Sequence, residues 1–348
     1  MKNRSTSLEF FEYVRKYLTE FMPRHRNLSE NTIQANRDTL NLLLDYCVNQ
    51  LGYSLLKIEV NTFLDIGVIT GFLDWLQTER KCRNATINQR LSCIRSVFKY
   101  IAYEEITYTS IYGRLLAIPQ RKVDKNKTIE FMSEDALKAI LSCPNTKSKK
   151  GLRDCFYMSL MYDSAARNSE MLSIKMKNVT DNKIAPYVFV NGKGRKKRSI
   201  PLMQKTMDIY HLYVRGFHRN YNPDDYLFYV IHHGQKMKMS TDNVAKFINK
   251  YAEQARLICS NIPDKVHPHM FRRSRAMHLY RNGMPLPLLS EFLGHEDPET
   301  TLIYASADTE MKRRAIEKAT INLDIDKEKA IPIWKDDDEM IRRLYGLK

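Results

Sequence analysis

Four short motifs between Ser164 and Tyr304 carry charged or nucleophilic side chains that could act together on an anion. Arg167 and Glu170 stand one helical turn apart in SAARNSEML, so the carboxylate can orient the guanidinium. Lys193 lies between two glycines in GKGRKKR, where the backbone can approach an anion closely. The other candidates are His269 and Arg272 in HPHMFRRSRAMHL, and His295 and Tyr304 in FLGHEDPETTLIY.

Each motif also has a purely structural interpretation. The R-x-x-E pair could be a surface ion pair, and GKGRKKR could be a nonspecific basic patch or a nuclear-localisation signal. His267 and His269 could form half a metal site, although no Cys, Asp or Glu stands at a useful spacing near them. Gly294 could simply end one helix and Pro298 begin the next, with Tyr304 as a half-buried aromatic residue.

Taken together, the motifs predict chemistry on a phosphate. Two arginines and a lysine suit the nonbridging oxygens of a pentacoordinate phosphorus and neutralise its developing charge. Histidines exchange protons near neutral pH, and a tyrosine phenolate is a nucleophile that can form a phosphodiester. The sequence shows no Asp/Glu cluster for two metal ions and no Walker loop. We therefore expect no metal and no cofactor.

Composition agrees with a polyanionic partner. The chain of 348 residues has a net charge of +16 and a pI of about 9.4, which favours nucleic acid over a membrane surface. No apolar run approaches the ~20 residues that span a bilayer, and MKNRSTSLEFFEY has no signal-peptide core. The six scattered cysteines predict buried thiols in a reducing compartment. These features predict a cytoplasmic protein.

Four helical patterns occupy the first third of the chain and predict a helical domain over residues 1–110. The first ends at Pro23, the second starts with Ser29 as its N-cap and closes at Gly52, and the third covers roughly Val68 to Arg80. The apolar positions of the first, second and fourth helices are Leu8, Phe11, Val14, Leu18 and Phe21; Ile33, Leu40, Leu44, Cys47 and Leu51; and Ile87, Leu91, Ile94, Phe98 and Ile101.

A polar stripe runs along the fourth helix, opposite its apolar face. Such a stripe is either a solvated surface or the side of a helix that lies in a nucleic-acid groove, and both interpretations stay open. The candidate DNA-contacting residues are those of this stripe together with other basic residues of the two domains. They are Asn88, Arg90, Ser92, Arg95, Lys99, Arg121, Lys122, Arg195 and Lys196.

The pattern weakens after the fourth helix, and a second domain begins near Thr128. Residues 111–128, which include the basic stretch IPQRKVDKNKT, are predicted to form a linker that can follow a phosphate backbone. In residues 129–322 we predict helices at about 133–142, with Ser133 as N-cap, and at 151–162. YVFV and RSIPL then form a hairpin around NGKGRKK, and helices resume at about 205–218. The predicted fold class is mostly α with one small antiparallel sheet (α+β).

In order and spacing, these motifs resemble the tyrosine recombinases, the phage-integrase family, over roughly residues 5–320. The matching features of the family are R-x-x-E, the lysine of G-K-G, H-x-x-R, L-G-H and a tyrosine nine residues after the histidine. LSENTIQANRDTL and ATINQRLSCIRSVFKYI are similar to the core-binding helices of Xer-type and integrase-type members. Two positions depart from the family: Ala165 replaces a glycine, and Arg273 stands where many members have histidine.

The resemblance implies a site-specific recombinase that clamps duplex DNA between its two domains and needs neither metal nor ATP. Tyr304 would form a 3′-phosphotyrosyl link, and Arg167 and Arg272 would hold the phosphate. Lys193 would protonate the leaving 5′-oxygen. His269 would act as acid and base, His295 would bond the phosphate, and Glu170 would support the site.

The resemblance also implies a homo-tetramer on two DNA sites and allows accessory DNA-bending proteins as partners. The tail over residues 323–348, with Ile331, Ile333, Trp334 and a short amphipathic helix in DDDEMIRRLYGL, suits docking on a neighbouring subunit. No added arm-binding domain is evident, which favours integration or excision of a mobile element by a simple or transposon-encoded recombinase. A type IB topoisomerase, a telomere resolvase and a non-enzymatic DNA-binding accessory protein are the alternatives.

Overall fold

The chain divides into two units, Met1–Lys127 and Thr128–Lys348, at the predicted start of the second domain. The computed structural model describes residues 6–123, 129–182, 184–192, 197–295, 297, 299–307, 313, 316–317 and 338–347. Both units are built mainly from helices, and all strands of the described residues lie in the second unit. The predicted α+β class is therefore confirmed.

The first unit is helical throughout its described residues. Ser29 caps the second helix as predicted, accepting a hydrogen bond from the Thr32 amide. The regular apolar face of the fourth helix, from Ile87 to Ile101, is buried in the core of this unit. The helices are α1 (Thr6–Lys16), continued by wider π-type turns (Tyr17–His25), α2 (Glu30–Asn49), α3 (Ile66–Thr78), α4 (Asn84–Glu104) and α5 (Thr109–Ala117), with 3-10 turns at Leu55–Lys57, Val60–Leu64 and Ile106–Tyr108.

The N-terminal helix differs from its prediction. Pro23 lies inside the π-type turns instead of ending the helix, which continues to His25. Leu8 is 56% exposed, whereas Phe10 and Tyr17 are buried in the core. Phe11, Val14, Leu18 and Phe21 pack against this core as predicted, so the buried surface of the helix is wider than the predicted apolar face.

The predicted linker also begins too early. Thr109–Ala117 forms α5, which contributes Ile111 and Leu115 to the core of the first unit. Two buried side chains on a nine-residue helix are a weak periodic signal, and the basic residues that follow obscure it. The segment without helix or strand therefore starts at Ile118, within the predicted range of 111–128.

The second unit combines nine helices of the described residues with two small sheets. Ser133 caps its first helix as predicted, by accepting from the Ala136 amide. The helices are α6 (Glu134–Ser142), α7 (Lys149–Ser164), α8 (Asn168–Met171), α9 (Gln204–Phe217), α10 (Thr241–Arg256), α11 (Pro268–Arg281), α12 (Leu286–Leu293), α13 (Glu299–Ala307) and α14 (Asp338–Leu344), with a 3-10 turn at Met176–Asn178.

The predicted hairpin is present, but a second sheet was missed. Strands β1 (Val179–Thr180), β2 (Tyr187–Asn191) and β3 (Lys197–Pro201) form an antiparallel sheet in the order β1-β2-β3, and Val188 pairs with Ile200. Strands β4 (Tyr229–His232) and β5 (Gln235–Lys238) form a separate hairpin. All four residues of β5 are exposed, so this strand lacks the apolar alternation that would reveal it.

One large core holds the second unit together, and a smaller apolar cluster lies beside it. The large core joins α6, α7, α9, α10 and α11 with the inward residues of β2 and β3. The smaller cluster consists of the buried residues Ala165, Ala276, Met277, Leu289, Leu293 and Tyr304. It therefore brings together the end of α7 and helices α11, α12 and α13, which carry most of the candidate catalytic residues.

Two sequence expectations concern the whole chain. All six cysteines are free thiols, but only Cys47, Cys93 and Cys155 are buried, whereas Cys82, Cys143 and Cys259 are partly exposed. Among the described residues, no helix is both long and apolar enough to cross a membrane. The helix predicted near the C-terminus is present as α14, while Ile331, Ile333 and Trp334 lie outside the described residues.

Candidate active site

A strained turn at the end of α7 positions the first arginine. Ala165 adopts the left-handed conformation, with φ 48° and ψ 25°, that glycine accepts more readily. Arg167 is then extended, and Glu170 folds back on it from α8. The Glu170 carboxylate accepts from the Arg167 amide at 2.8 Å and from Nη1 of its guanidinium at 2.8 Å. One buried carboxylate therefore caps α8 and orients Arg167.

A second arginine reaches the same carboxylate from strand β3. Arg198 donates Nη2 to Oε2 of Glu170 at 2.9 Å and Nη1 to Oε1 at 3.3 Å. Arg198 is not among the predicted site residues, because it stands at the end of the basic stretch KGRKKR, residues 193–198. The sequence feature that could have identified Arg198 is its position two residues before Ile200. The two side chains lie on the same face of β3, and Ile200 is buried.

Gly294 permits this arrangement by having no side chain. A Cβ atom at Gly294 would lie 2.8 Å from Nη1 of Arg198, and the residue has φ 63°. Its carbonyl also accepts a long hydrogen bond, 3.4 Å, from Nη2 of Arg167. The glycine of L-G-H thus ends α12, lets Arg198 pass and contacts Arg167 through its backbone.

Arg272 is fixed by backbone carbonyls and has no carboxylate partner among the described residues. It is 1% exposed and donates Nη1 to the Ala165 carbonyl at 2.8 Å and Nη2 to the Leu293 carbonyl at 2.7 Å. Burial and the charges of Arg167 and Arg198 lower its pKa to about 10, so it stays charged at neutral pH. The left-handed turn at Ala165 therefore supplies an acceptor that holds the second candidate arginine.

Both candidate histidines lie in this positive field. Desolvation by the surrounding protein and the charges of Arg273 and Arg272 lower the pKa of His269 to about 4, although its side chain stays exposed on one side. Burial and the charges of Arg272 and Arg167 likewise lower the pKa of His295 to about 4. Both rings are therefore neutral at pH 7, and the same positive charges make them weak bases in the absence of a bound anion.

Tyr304 lies in the small apolar cluster on helix α13 and is 2% exposed. Burial raises the pKa of its hydroxyl, while the charges of Arg272 and Arg273 act in the opposite direction. The phenol is therefore protonated at neutral pH in this conformation and lies close enough to the arginines to sense them.

The site holds more positive than negative charge. Arg167, Arg198 and Arg272 influence one another electrostatically, and Glu170 is the only carboxylate bonded to any of them among the described residues. Three guanidinium groups around one carboxylate leave a net charge that an anion can compensate. No group of three His, Cys, Asp or Glu side chains in the described part of the chain could hold a metal ion.

Three predicted site residues cannot be placed. Lys193, Arg195 and Lys196 lie outside the described residues, as does Pro298. The strands β2 and β3 that flank Lys193 are described, and β3 carries Arg198 into the site. The role of Lys193 stays a prediction.

Several of the predicted DNA-contacting residues on α4 have hydrogen-bond partners within the first unit. Arg95 donates to the carbonyls of Leu115 and Leu116 at 3.0 and 3.2 Å, and also to the carbonyl of Ile118. It therefore fastens the end of α5 to α4. The partners lie at least 20 residues away in sequence, so periodicity along α4 could not reveal them.

Three further candidates also bond within the first unit. Asn88 exchanges hydrogen bonds with the Arg121 backbone, both at 2.9 Å. The Arg121 side chain pairs with Asp74 at 2.6 Å, and Arg90 bonds the Thr39 hydroxyl at 2.8 Å and the carbonyl of another α2 residue. Of the candidates that the structure describes, the exposed ones are Ser92, Lys99 and Lys122.

Glu170 provides a pH-dependent test of this geometry. Burial opposes its ionisation, but the hydrogen bonds and charge of Arg198 and the bonds from Arg167 outweigh burial, so its pKa lies below the ordinary 4.5. A carboxyl with a lowered pKa stabilises the fold above its unfolded pKa, and the stabilisation disappears as the pH falls through the lowered pKa. Glu170→Gln should cost about 3 kcal/mol near neutral pH.

Denaturation at several pH values measures this effect. The difference between Glu170→Gln and wild type should shrink as the pH falls below 4.5. Glu253→Gln, at an exposed position on α10, is the matched control and should behave as wild type throughout. A difference for Glu170→Gln that did not change with pH would contradict the charged pairing.

Two family models match the chain. The model of the phage integrase family matches residues 130–311, and the model of the phage integrase N-terminal SAM-like domain matches residues 16–105. The chain therefore belongs to the phage integrase family. As a member of this family it is a site-specific tyrosine recombinase, an enzyme class that the relatives below share.

Curated relatives and solved structures agree with this assignment. A tyrosine recombinase of Thermosipho africanus is 26% identical over 88% of this chain and 99% of its own. The tyrosine recombinase XerD of Rickettsia bellii is 28% identical over 88% of this chain and 97% of its own.

Two solved structures share the two-domain fold. The XerH site-specific recombinase bound to its palindromic difH substrate has a TM-score of 0.64 at 19% identity, covering 92% of this chain and 98% of its own. The Tn1549 transposon integrase in complex with circular intermediate DNA has a TM-score of 0.63 at 16% identity, covering 90% of this chain and 99% of its own.

Proposed function

We propose that this chain binds double-stranded DNA and breaks and rejoins its strands through a covalent bond between Tyr304 and a 3′-phosphate. The observation that carries this proposal is the surplus of guanidinium groups around Glu170, beside a tyrosine and two neutral histidines. A phosphodiester supplies the missing negative charge and the atom that a tyrosine attacks.

Arg167 and Arg272 bind the two nonbridging oxygens of the scissile phosphate. Arg272 is immobilised by two carbonyls, and Arg167 by Glu170, so both donors are oriented before the substrate arrives. Preorganised donors stabilise the charge that develops in the transition state without further reorganisation. Arg198 contributes by holding Glu170 from its other side.

The two histidines have different roles, and one of them takes the proton of the nucleophile. His269 is neutral at pH 7 in the free protein, and the negative charge of a bound phosphate raises its pKa, so that it accepts the phenolic proton as the Tyr304 oxygen bonds to phosphorus. His295 donates a hydrogen bond to a nonbridging oxygen. The bond from phosphorus to the 5′-oxygen then breaks, and Lys193 supplies the proton that the leaving oxygen requires. The phosphotyrosyl link conserves the energy of the broken bond, so a second 5′-hydroxyl can reverse the reaction without ATP.

DNA binding involves both units. The net charge of +16 favours phosphate contacts, and the exposed Lys99 and Lys122 remain the candidates for them in the first unit. The resemblance to recombinases whose solved structures contain DNA supports the same partner here. In the second unit, Arg195 and Lys196 stay predicted contacts.

A homo-tetramer on two DNA sites and a role in integration or excision of a mobile element complete the proposal. The likeness to a transposon integrase supports the mobile element, and a C-terminal segment that ends in the exposed helix α14 suits docking on a neighbouring subunit. Accessory DNA-bending proteins would assist assembly.

Covalent trapping tests the proposed function. The protein is incubated with nicked duplexes whose sequences come from the DNA that flanks its gene. The nick lets the short fragment beyond the cleavage site diffuse away, so that the covalent complex cannot religate. We expect a denaturation-resistant protein–DNA complex joined through a 3′-phosphate. DNA binding without such a complex would identify an accessory binding protein. Supercoil relaxation or hairpin formation without strand exchange would identify a topoisomerase or a telomere resolvase.

Proton donation by Lys193 can be distinguished from the electrostatic effect of its positive charge. An alkoxide leaves poorly without a proton, so Lys193→Ala should lower the cleavage rate by ~10²–10⁴. With sulfur at the bridging 5′ position the leaving group is a thiolate, which needs no proton, so the variant should recover toward the wild-type rate.

Arg167→Ala is the control for this experiment, because a better leaving group does not replace a missing clamp on the nonbridging oxygens. Its rate should stay low on the sulfur substrate. Equal recovery of both variants, or of neither, would show that Lys193 is not the general acid and would make His269 the next candidate.

A further inference from the structure

Thr301 joins the nucleophile helix to one of the candidate phosphate ligands. It lies on α13, three residues and about one turn before Tyr304, and it is 1% exposed. Its Oγ1 lies 2.8 Å from Nδ1 of His295. It lies within FLGHEDPETTLIY, but spacing along the chain does not predict its contact with the histidine.

The burial of Thr301 favours one direction of this hydrogen bond. A buried hydroxyl proton requires an acceptor, and among the described residues Nδ1 of His295 is the only hydrogen-bond partner of Oγ1. When the hydroxyl donates in this contact, Nδ1 carries no proton. Since a neutral imidazole has one proton, that proton is on Nε2. No hydrogen bond to Nε2 is found within the described ranges.

We propose that Thr301 is a positioning residue, whose hydroxyl holds the His295 ring in the tautomer and orientation that present Nε2–H to a phosphate oxygen. The inference rests on the proposed function, because it gives that proton its acceptor. His295 is neutral at pH 7, as a fixed tautomer requires.

The contact also links two parts of the site. Because Thr301 and Tyr304 share one face of α13 and the small apolar cluster packs against that helix, the position of the nucleophile and the orientation of His295 are coupled. When α13 packs in this position, His295 is oriented toward the phosphate and Tyr304 is positioned for attack at the same time.

Thr301→Val tests the proposal by replacing the hydroxyl with a methyl group of similar size. On a trapping substrate that wild type cleaves, Thr301→Val should cleave about tenfold more slowly, because the donor that fixes His295 is lost. Its DNA affinity should be unchanged. Thr301→Ser keeps the hydroxyl and should stay within about twofold of wild type.

Thr300→Val is the matched control, because the Thr300 side chain is exposed and its hydroxyl bonds the Asp297 carbonyl at 2.7 Å instead of a histidine. It should cleave at the wild-type rate. In a His295→Ala background, Thr301→Val should have no further effect, since the group that it positions is already absent.

A second readout needs no activity. The ¹⁵N shifts of the His295 ring, assigned by comparison with His295→Ala, should report a proton on Nε2 in wild type and a mixture of tautomers in Thr301→Val. A wild-type rate for Thr301→Val, an equal loss in the His295→Ala background, or a proton on Nδ1 in wild type would overturn the proposal. Absence of any covalent complex with wild-type protein would instead count against the proposed function.

Discussion

Tyr304→Phe should form no covalent complex with DNA while binding it with near-normal affinity. The substitution removes the oxygen that we propose bonds to phosphorus, so the yield of trapped complex should fall by about 10⁴-fold or more. The phenylalanine ring fills the same space among Ala165, Met277 and Leu289, so the free energy of unfolding should change by no more than about 1 kcal/mol. Denaturing electrophoresis and a binding titration measure the two effects.

Tyr280→Phe is the control for loss of a phenol near the same cluster. Tyr280 lies on α11 and packs against the residues that surround Tyr304, but the proposal gives it no chemical role. This variant should trap DNA as wild type does. A covalent complex formed by Tyr304→Phe would show that another residue is the nucleophile.

Arg272→Lys and Arg167→Lys should both slow cleavage by about 10²–10³, because each removes an oriented donor from the transition state. Their effects on stability should differ. Arg272 is 1% exposed and satisfies the carbonyls of Ala165 and Leu293, and a lysine cannot reach both, so about 2 kcal/mol should be lost.

Arg167→Lys should cost less than about 1 kcal/mol of stability. The Arg167 side chain is 37% exposed, and Glu170 keeps its two hydrogen bonds to Arg198 when Arg167 is replaced. Single-turnover cleavage and thermal denaturation of the two variants give the comparison. Equal losses of stability would contradict the buried anchoring of Arg272, and undiminished cleavage by either variant would remove it from the phosphate clamp.

Features encoded by local contacts were predictable from the sequence. The caps at Ser29 and Ser133, the buried face of α4 and the start of α11 at Pro268 each depend on residues within one or two helical turns. The candidate residues Arg167, Glu170, Arg272, His295 and Tyr304 were recognisable because their order and spacing match a family.

Features that depend on distant partners were predicted poorly. Arg95 and Asn88 have the spacing of a free polar stripe, yet their hydrogen bonds reach carbonyl and amide groups 20 to 33 residues away. Helix α5 is stabilised by burying Ile111 and Leu115 in a core that other helices build. Periodicity carries no information about such partners.

The sequence by itself determined the chemical groups of the candidate active site and most of the helices that carry them, because residue type and local spacing specify both. Only the tertiary structure decided that Arg198 shares Glu170 with Arg167, that Gly294 must lack a side chain there, and that Thr301 meets His295. These contacts join strand β3, the turn after α12 and helix α13. The distances between these residues depend on how the elements of the second unit pack together. Spacing along the chain does not encode that packing.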